Sequence, residues 1–232
     1  MEPTLIILLG SAVGIGFLHT VVGVDHWLPF VVLGRAQNWR LRRVLAVTAA
    51  CGVGHVLSSV VLGALGIGLG VAVTRLEVIE GARGNLAAWS LIVFGVIYAG
   101  WSVARPRRAH RHVHAHADGE IHVHAHHGLP HRHTSPDART VTAWSLFVIF
   151  VLGPCEPLIP LLMAPAIASG ATGVALVAVV FGLTTIGTMM AVVSLAYIGL
   201  SVPVFRRLEA HAHTLAGVAI ALSGLAIQLL GI

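Results

Sequence analysis

The sequence predicts an all-α, polytopic membrane protein of about six transmembrane helices. Hydrophobic residues make up 56% of the 232 residues and charged residues only 10%, whereas a soluble domain carries about 25% charged residues. The mean hydropathy is +0.89. Because so few charges cannot cover a water-facing surface, the lipid bilayer is the predicted partner of most of the chain. The length suits one domain, since each span needs ~20 apolar residues and the loops take the rest.

Six long apolar runs follow one another along the chain, and each is predicted to form a membrane helix. The first run lacks the basic region of a cleaved signal peptide, so we expect it to remain as a helix. The prediction is one transmembrane domain over 1–232, with three helices in 1–104, a loop at 105–140 and three helices in 141–232. The runs are Thr4–Leu33, Val44–Val73, Leu86–Ala104, Val141–Ala168, Gly173–Val202 and His213–Ile232.

Arginine placement predicts the orientation of the chain. The second connection balances Arg75 and Arg83 against Glu77 and Glu80, whereas the first, third and fifth connections hold the other arginines. The positive-inside rule places those three connections in the cytoplasm and both termini outside, and we expect a bacterial cytoplasmic membrane. The net charge of +5 then reflects topology, so nucleic acid is not a predicted partner. The clustered arginines are Arg35, Arg40, Arg42, Arg43, Arg105, Arg107, Arg108, Arg111, Arg132, Arg139, Arg206 and Arg207.

The two halves contain a weak internal repeat. DHWLPFVVLGRAQ in the first half is similar to EPLIPLLMAPAIAS in the second, and each places an acid four residues before a proline. Three spans per half is an odd number, so the halves would be inverted in the membrane, as in many transporters. The alternative is that any two stretches rich in Leu, Val, Ala and Pro look alike.

HTVVGVDHWLPF, residues 19–30, is the strongest functional motif. Ionisable groups inside a membrane span cost about a few kcal/mol each and normally persist because they have a function. On a straight helix His19 and His26 would stand ~10 Å apart, whereas one metal ion requires ligand atoms at ~2 Å. The motif therefore predicts a bend near Gly23 that draws His19, Asp25 and His26 together.

CGVGHVLSS, residues 51–59, supplies further candidate ligands. Cys51 and His55 are four residues apart and so share one face of a helix. Gly52 and Gly54 would let another helix approach closely. We expect His55 to complete the site from the second helix. Cys51 is a candidate ligand, with inert packing as the alternative.

LGPCEPLIPLL, residues 152–162, contains an acid in an apolar run with three prolines. Prolines at this density exclude a regular helix, so the segment is predicted to be kinked or unwound. Such backbone is tolerated at membrane depth only inside protein or along a cavity. We expect Glu156 and Cys155 to be candidate metal ligands, with Glu156 alternatively balancing charge or carrying a proton. The other alternative for Glu156 is an acid near the outer surface of the membrane.

The third connection is rich in histidine. Imidazole suits nickel, copper, zinc and cobalt, so the repeated His-x-His pattern predicts an accessory cytoplasmic buffer, sensor or delivery tract, disordered without metal. The alternative is a solvated loop whose metal affinity is incidental. The candidate ligands are His110, His112, His114, His116, His122, His124, His126, His127, His131 and His133.

These motifs carry a resemblance to nickel and cobalt transporters. HTVVGVDH resembles the His-x(5)-Asp-His signature of the hydrogenase- and urease-accessory nickel permeases (HupE/UreJ type). It is also similar to the His-x(4)-Asp-His signature of the nickel/cobalt permease family, with one extra residue. GVGHVLSS resembles the Gly-His-Ser motif of that family, with Val56 where Ser usually follows. The resemblance implies that His19, Asp25, His26 and His55 occupy the family's metal-site positions.

Two further features extend the resemblance. The His-rich loop between three-helix halves looks like that of RcnA-type nickel/cobalt exporters. GPCEPLIP resembles a motif of urease-accessory and thiol-electron-carrier membrane domains. This mixed pattern implies transport of nickel or cobalt, with zinc or manganese also open, and leaves the direction of transport undecided.

Three functions compete on these residues. The leading hypothesis is a transporter whose substrate is a divalent transition metal. The second is a thiol-electron carrier, which requires Cys51 and Cys155 to approach within the ~7 Å Cα separation of a disulfide. The third is a membrane-anchored metal sensor or metallochaperone that acts through the His-rich loop. An enzyme is not expected, because no nucleophile has a paired base, and oligomers or accessory proteins stay open.

Overall fold

The computed structural model describes residues 3–104, 111–115, 121–125, 136–168, 170–199 and 211–230. Within these ranges the chain forms eight α-helices and one two-stranded hairpin. The helices are α1 Pro3–Val22, α2 Leu28–Ala36, α3 Leu41–Gly68, α4 Val73–Ala104, α5 Pro136–Leu152, α6 Leu158–Ala168, α7 Gly170–Gly199 and α8 Ala212–Leu230. The strands are β1 Arg111–Ala115 and β2 Ile121–Ala125.

The predicted all-α membrane fold is confirmed. Five helices, namely α1, α3, α4, α7 and α8, are long and apolar enough to cross a membrane. Large apolar side chains such as Leu65, Leu195 and Leu229 are exposed on their outer faces. In water such a surface would be unfavourable, whereas in lipid it is the ordinary outer surface of a helix bundle.

Two of the six predicted runs are each divided into two helices. The first run is α1 and α2, separated by Gly23 and a single turn of 3₁₀ helix at Val24–His26. The fourth run is α5 and α6, separated by the non-helical residues 153–157. Both breaks were predicted from glycine and proline. Pro29 lies in the first turn of α2, where a missing N–H is tolerated.

The predicted start of the third run was wrong. The run was expected to begin at Leu86, with the charged residues before it in a connection, but α4 already begins at Val73. Glu80 lies inside α4, fully buried, and forms an ion pair with Arg83 one turn later. Two charges that neutralise each other inside the protein lower the hydropathy of the segment without forcing it into water.

Contacts between the halves hold the bundle together. At the crossing of α4 and α8, a Cβ on Gly95 would lie 2.5 Å from backbone atoms of Gly217 and Ala221. Only glycine permits so close an approach, which strengthens packing between membrane helices. The expected close approach at Gly52 and Gly54 is also found, against α7 and α5 respectively.

The helix pairs also bear on the internal repeat. Helix α1 packs against α7, and α5 packs against α3. These are reciprocal contacts if α1 and α3 correspond to α5 and α7. The inverted relation of the halves, and the domain boundaries drawn from it, stay predictions.

The His-rich connection contains regular structure that was not predicted. Strands β1 and β2 pair antiparallel, with His112 opposite His124 and His114 opposite His122. The residues RHVHA and IHVHA alternate in the two-residue period of a strand, which a prediction based on composition alone overlooks. The predictions made for the following residues lie outside the described part of the chain: Arg105, Arg107, Arg108, His110, His116, His126, His127, His131, Arg132, His133, Arg206 and Arg207.

Candidate metal centre

Three histidines from two separate regions meet inside the bundle. His19 lies in the last turn of α1, His26 lies in the 3₁₀ turn, and His55 lies in the middle of α3. Their ring centroids are 4.5 Å apart for His19 and His26, 5.0 Å for His26 and His55, and 6.4 Å for His19 and His55. One ring nitrogen of each lies within 4.8 Å of the others. Small movements of the rings would bring all three onto one ion.

The break after α1 creates this arrangement. Gly23 donates its N–H to the carbonyl of His19 at 2.9 Å, and His26 donates its N–H to the carbonyl of Gly23 at 3.0 Å. A Cβ on Gly23 would lie 2.6 Å from His26 Nδ1 and 3.0 Å from Asp25 Oδ1. The turn therefore folds the His26 ring back toward His19 across a position that has no room for a side chain.

Asp25 holds the ring of His26 in place. Its Oδ1 lies 3.1 Å from His26 Nδ1, and because a carboxylate only accepts, Nδ1 carries the proton. The other nitrogen, Nε2, is buried and has no hydrogen-bond partner. Metal-binding histidines commonly have this arrangement, in which a carboxylate orients the ring and leaves the opposite nitrogen for the ion.

His55 is held in the same way by the backbone. Its Nδ1 lies 3.3 Å from the carbonyl oxygen of Phe150, which can only accept, so the proton again lies on Nδ1. Its Nε2 is buried without a partner. Buried polar atoms nearly always have a hydrogen-bond partner. Two buried imidazole nitrogens without a partner in one cluster therefore indicate a site for an electrophile such as a metal ion.

The structure places the remaining predicted ligands in different surroundings. Cys155 is fully buried, and its Sγ lies 3.9 Å from His19 Nε2. Asp25 contacts His26, while Glu156 is exposed in the turn between α5 and α6. Cys51 is buried one turn before His55, among Leu146, Phe150 and other apolar residues. Whether any of these residues is a ligand stays a prediction.

The surroundings of Cys51 differ from those of the histidines. Together with Arg43, Trp144 and Phe147 it lines a cavity of about 300 Å³ between α3 and α5. Both cysteines are free. They belong to different apolar clusters, one around Phe30 and Phe150 and the other around Phe181 and Leu162. The structure therefore adds no contact in favour of a thiol pair.

Sequence reasoning missed a polar network behind the site. Glu80 accepts hydrogen bonds from Ser59 Oγ at 3.3 Å and from the Cys155 N–H at 3.1 Å. Arg83 contacts Glu80 and donates to the carbonyl of Val151 at 2.8 Å. The available signal was the three-residue spacing of the two charges, which places them on one helix face. Their interpretation as loop residues concealed it.

Comparison with known proteins supplies no relative: no protein-family model matches the sequence, no curated protein matches it, and no solved structure matches the fold. The resemblance to nickel and cobalt permeases therefore rests on the motifs alone.

Proposed function

We propose that this protein transports a divalent transition-metal ion across the membrane, with nickel or cobalt as the first candidate substrates and zinc or manganese next. The observation that carries the proposal is the convergence of His19, His26 and His55, two of them with buried, unpaired Nε2 atoms. Neutral imidazole is a ligand suited to nickel, cobalt and zinc, whereas magnesium and calcium prefer oxygen ligands.

The surroundings of the cluster favour passage of an ion over permanent storage. The site lies at a break in a membrane-embedded helix, and irregular backbone at that depth is tolerated where it borders protein or a cavity. Discontinuous helices at the substrate site are a recurring transporter design. His19 is partly exposed, and the Asp25 side chain is 23% exposed. An ion bound there can exchange with water more readily than one in a closed site.

The proposed binding step follows from the ring orientations. An incoming hydrated ion exchanges water molecules for Nε2 of His26 and of His55, while His19 joins from α1. Asp25 keeps His26 in the required tautomer and places a negative charge beside the ion. The His-rich connection would act as a cytoplasmic buffer or sensor that is distinct from the transport path.

Metal flux into proteoliposomes tests the proposal. Purified protein is reconstituted, and uptake of nickel, cobalt, zinc and manganese is measured with the pH gradient varied. We expect metal-dependent flux in the wild type and its loss in His26→Ala and His55→Ala. His213→Ala is the matched control, because His213 lies on α8 and contacts Tyr98 instead of the cluster. Unchanged flux in both cluster variants, or no flux of any metal in the wild type, would contradict the proposal.

A further inference from the structure

The thiol of Cys155 contacts His19, one of the three clustered histidines, although it is not among the ligand atoms that all lie within 4.8 Å of one another. Cys155 lies in the unwound segment between α5 and α6, and its side chain is completely buried. Its Sγ lies 3.9 Å from Nε2 of His19. Ligand atoms bound tetrahedrally to one ion, with metal–nitrogen and metal–sulfur distances of about 2.0–2.3 Å, lie roughly 3.3–3.7 Å apart. The thiol therefore needs only a small movement to share an ion with His19.

The backbone at Cys155 is fixed by α4 and α3. The Cys155 N–H donates to Glu80 Oε2 at 3.1 Å and lies 3.3 Å from Ser59 Oγ. Glu80 is fully buried, and a carboxylate in such a position needs a partner charge and hydrogen bonds. It has both, since Arg83 forms an ion pair with it and Ser59 donates to it.

Arg83 fixes the same segment from its other end. It donates to the carbonyl oxygens of Val151 at 2.8 Å and Gly153 at 3.3 Å. These carbonyls lie at the end of α5, where the C=O groups of the last helical turn have no N–H donors within the helix. Pro154 lies against Gly84, where a Cβ would be 2.8 Å from the proline ring. The face of α4 that carries residues 80–84 thus holds both the end of α5 and the non-helical segment that follows it, and it is called the clamp below.

We propose that Cys155 is the fourth ligand of the ion and that Glu80 and Arg83 are positioning residues that aim it at the site. This inference rests on the proposed function and deepens it, because it concerns the same ion. The two unpaired Nε2 atoms of His26 and His55 are the independent observation that an ion belongs at the three-histidine site. A site of three imidazoles and one thiolate favours cobalt, nickel and zinc over manganese and magnesium, since soft sulfur disfavours hard cations.

Cobalt(II) spectroscopy of the full-length protein in detergent tests Cys155. Thiolate ligation gives cobalt an intense sulfur-to-metal charge-transfer band in the near ultraviolet, whereas imidazole ligation does not. We expect the band in the wild type and its loss in Cys155→Ser, with cobalt still bound through the histidines. Cys51→Ser is the matched control, because it removes the other buried thiol, and it should keep the band.

The outcomes separate the two proposals. If cobalt binds to the wild type without the band, or if the band survives in Cys155→Ser, Cys155 is not a ligand, and the three-histidine site is unaffected. If no metal in the panel binds to the wild type or crosses the bilayer, the proposed function fails as well. In Cys155→Ser we also expect a loss of preference for cobalt over manganese, because the soft thiolate that disfavours the harder manganese ion is removed.

The role of the clamp is tested by Glu80→Gln, which keeps the size of the side chain and removes the partner charge of Arg83. We expect the charge-transfer band to shift or weaken while the amount of bound cobalt stays the same, because the hydrogen bonds of Glu80 are to Ser59, Arg83 and Cys155, and Cys155 is the only one of these three proposed to bind the ion. Glu77→Gln, at an exposed position one turn earlier on α4, is the matched control and should leave the band unchanged. An unaltered band in Glu80→Gln would overturn the positioning role.

Discussion

The ring centroids of His19 and His26 lie 4.5 Å apart, although seven residues of straight helix would separate them by roughly 10 Å. The difference arises at Gly23, where the helix stops and a 3₁₀ turn carries His26 back toward α1. The proposed metal centre therefore depends on a backbone feature as much as on its candidate ligands.

Gly23→Ala should impair metal binding without removing any ligand. A Cβ at this position would lie 2.6 Å from His26 Nδ1 and 2.9 Å from the carbonyl oxygen of His19, so either the ring or the turn must shift. Misplaced supporting groups typically weaken metal sites by about 10- to 100-fold. Cobalt titration in detergent measures the change in affinity.

Gly14→Ala is the control for that prediction. Gly14 also lies on α1, and a Cβ there would have nothing within 4 Å. We expect wild-type affinity. If both variants bind cobalt equally well, the tight turn at Gly23 does not shape the site.

Asp25→Asn should weaken metal binding less than the loss of a ligand does. Asn can still accept a hydrogen bond from His26 Nδ1, but it no longer carries the negative charge beside the ion. We expect affinity to fall by about 10- to 100-fold, with a larger loss in Asp25→Ala, because the ring then also loses its orienting partner. Cobalt titration of Asp25→Asn, Asp25→Ala and His26→Ala checks this order of affinities. A loss in Asp25→Asn as complete as that in His26→Ala would instead indicate that Asp25 binds the ion directly.

The breaks and the histidine cluster could be predicted from the sequence because they depend on local chemistry. Gly23 followed by Pro29, and three prolines around Glu156, are incompatible with continuous helices, and both segments are broken. His55 was identified because a metal site built on His19, Asp25 and His26 needs a further ligand from another helix. These inferences did not require knowledge of the packing.

The roles of individual polar groups could not be predicted, because they depend on which helices meet. The contact of the Asp25 carboxylate with His26 Nδ1 was not predicted, and the expectation that Asp25 is a ligand stays a prediction. Glu80 was assigned to a connection because charge lowers hydropathy, whereas its ion pair with Arg83 is formed inside the bundle. Only the packing of α4 against the break between α5 and α6 distinguishes a solvated charge from a buried structural one.

Deletion of residues 109–133 should leave transport at saturating metal largely intact. The three histidines of the proposed centre belong to α1, the adjoining 3₁₀ turn and α3, so none of the three comes from the His-rich connection. We expect flux close to the wild-type value, together with fewer metal ions bound per protein and an altered response to low metal concentrations. Proteoliposome flux and equilibrium dialysis measure the two quantities. Abolished flux in correctly folded protein would favour the loop as the functional element.

Gly95→Ala should destabilise the bundle without altering the metal centre. Its Cβ would lie 2.5 Å from Gly217 O and from Ala221 N, and backbone atoms cannot move aside as a flexible side chain can. Overpacking of this kind costs about 1–3 kcal/mol, so the midpoint of thermal unfolding in detergent should fall while cobalt affinity in the folded state is kept. Gly100→Ala on the same helix is the control, because a Cβ there has nothing within 4 Å. Equal unfolding midpoints for the two variants would mean that α4 and α8 do not cross as closely as the structure places them.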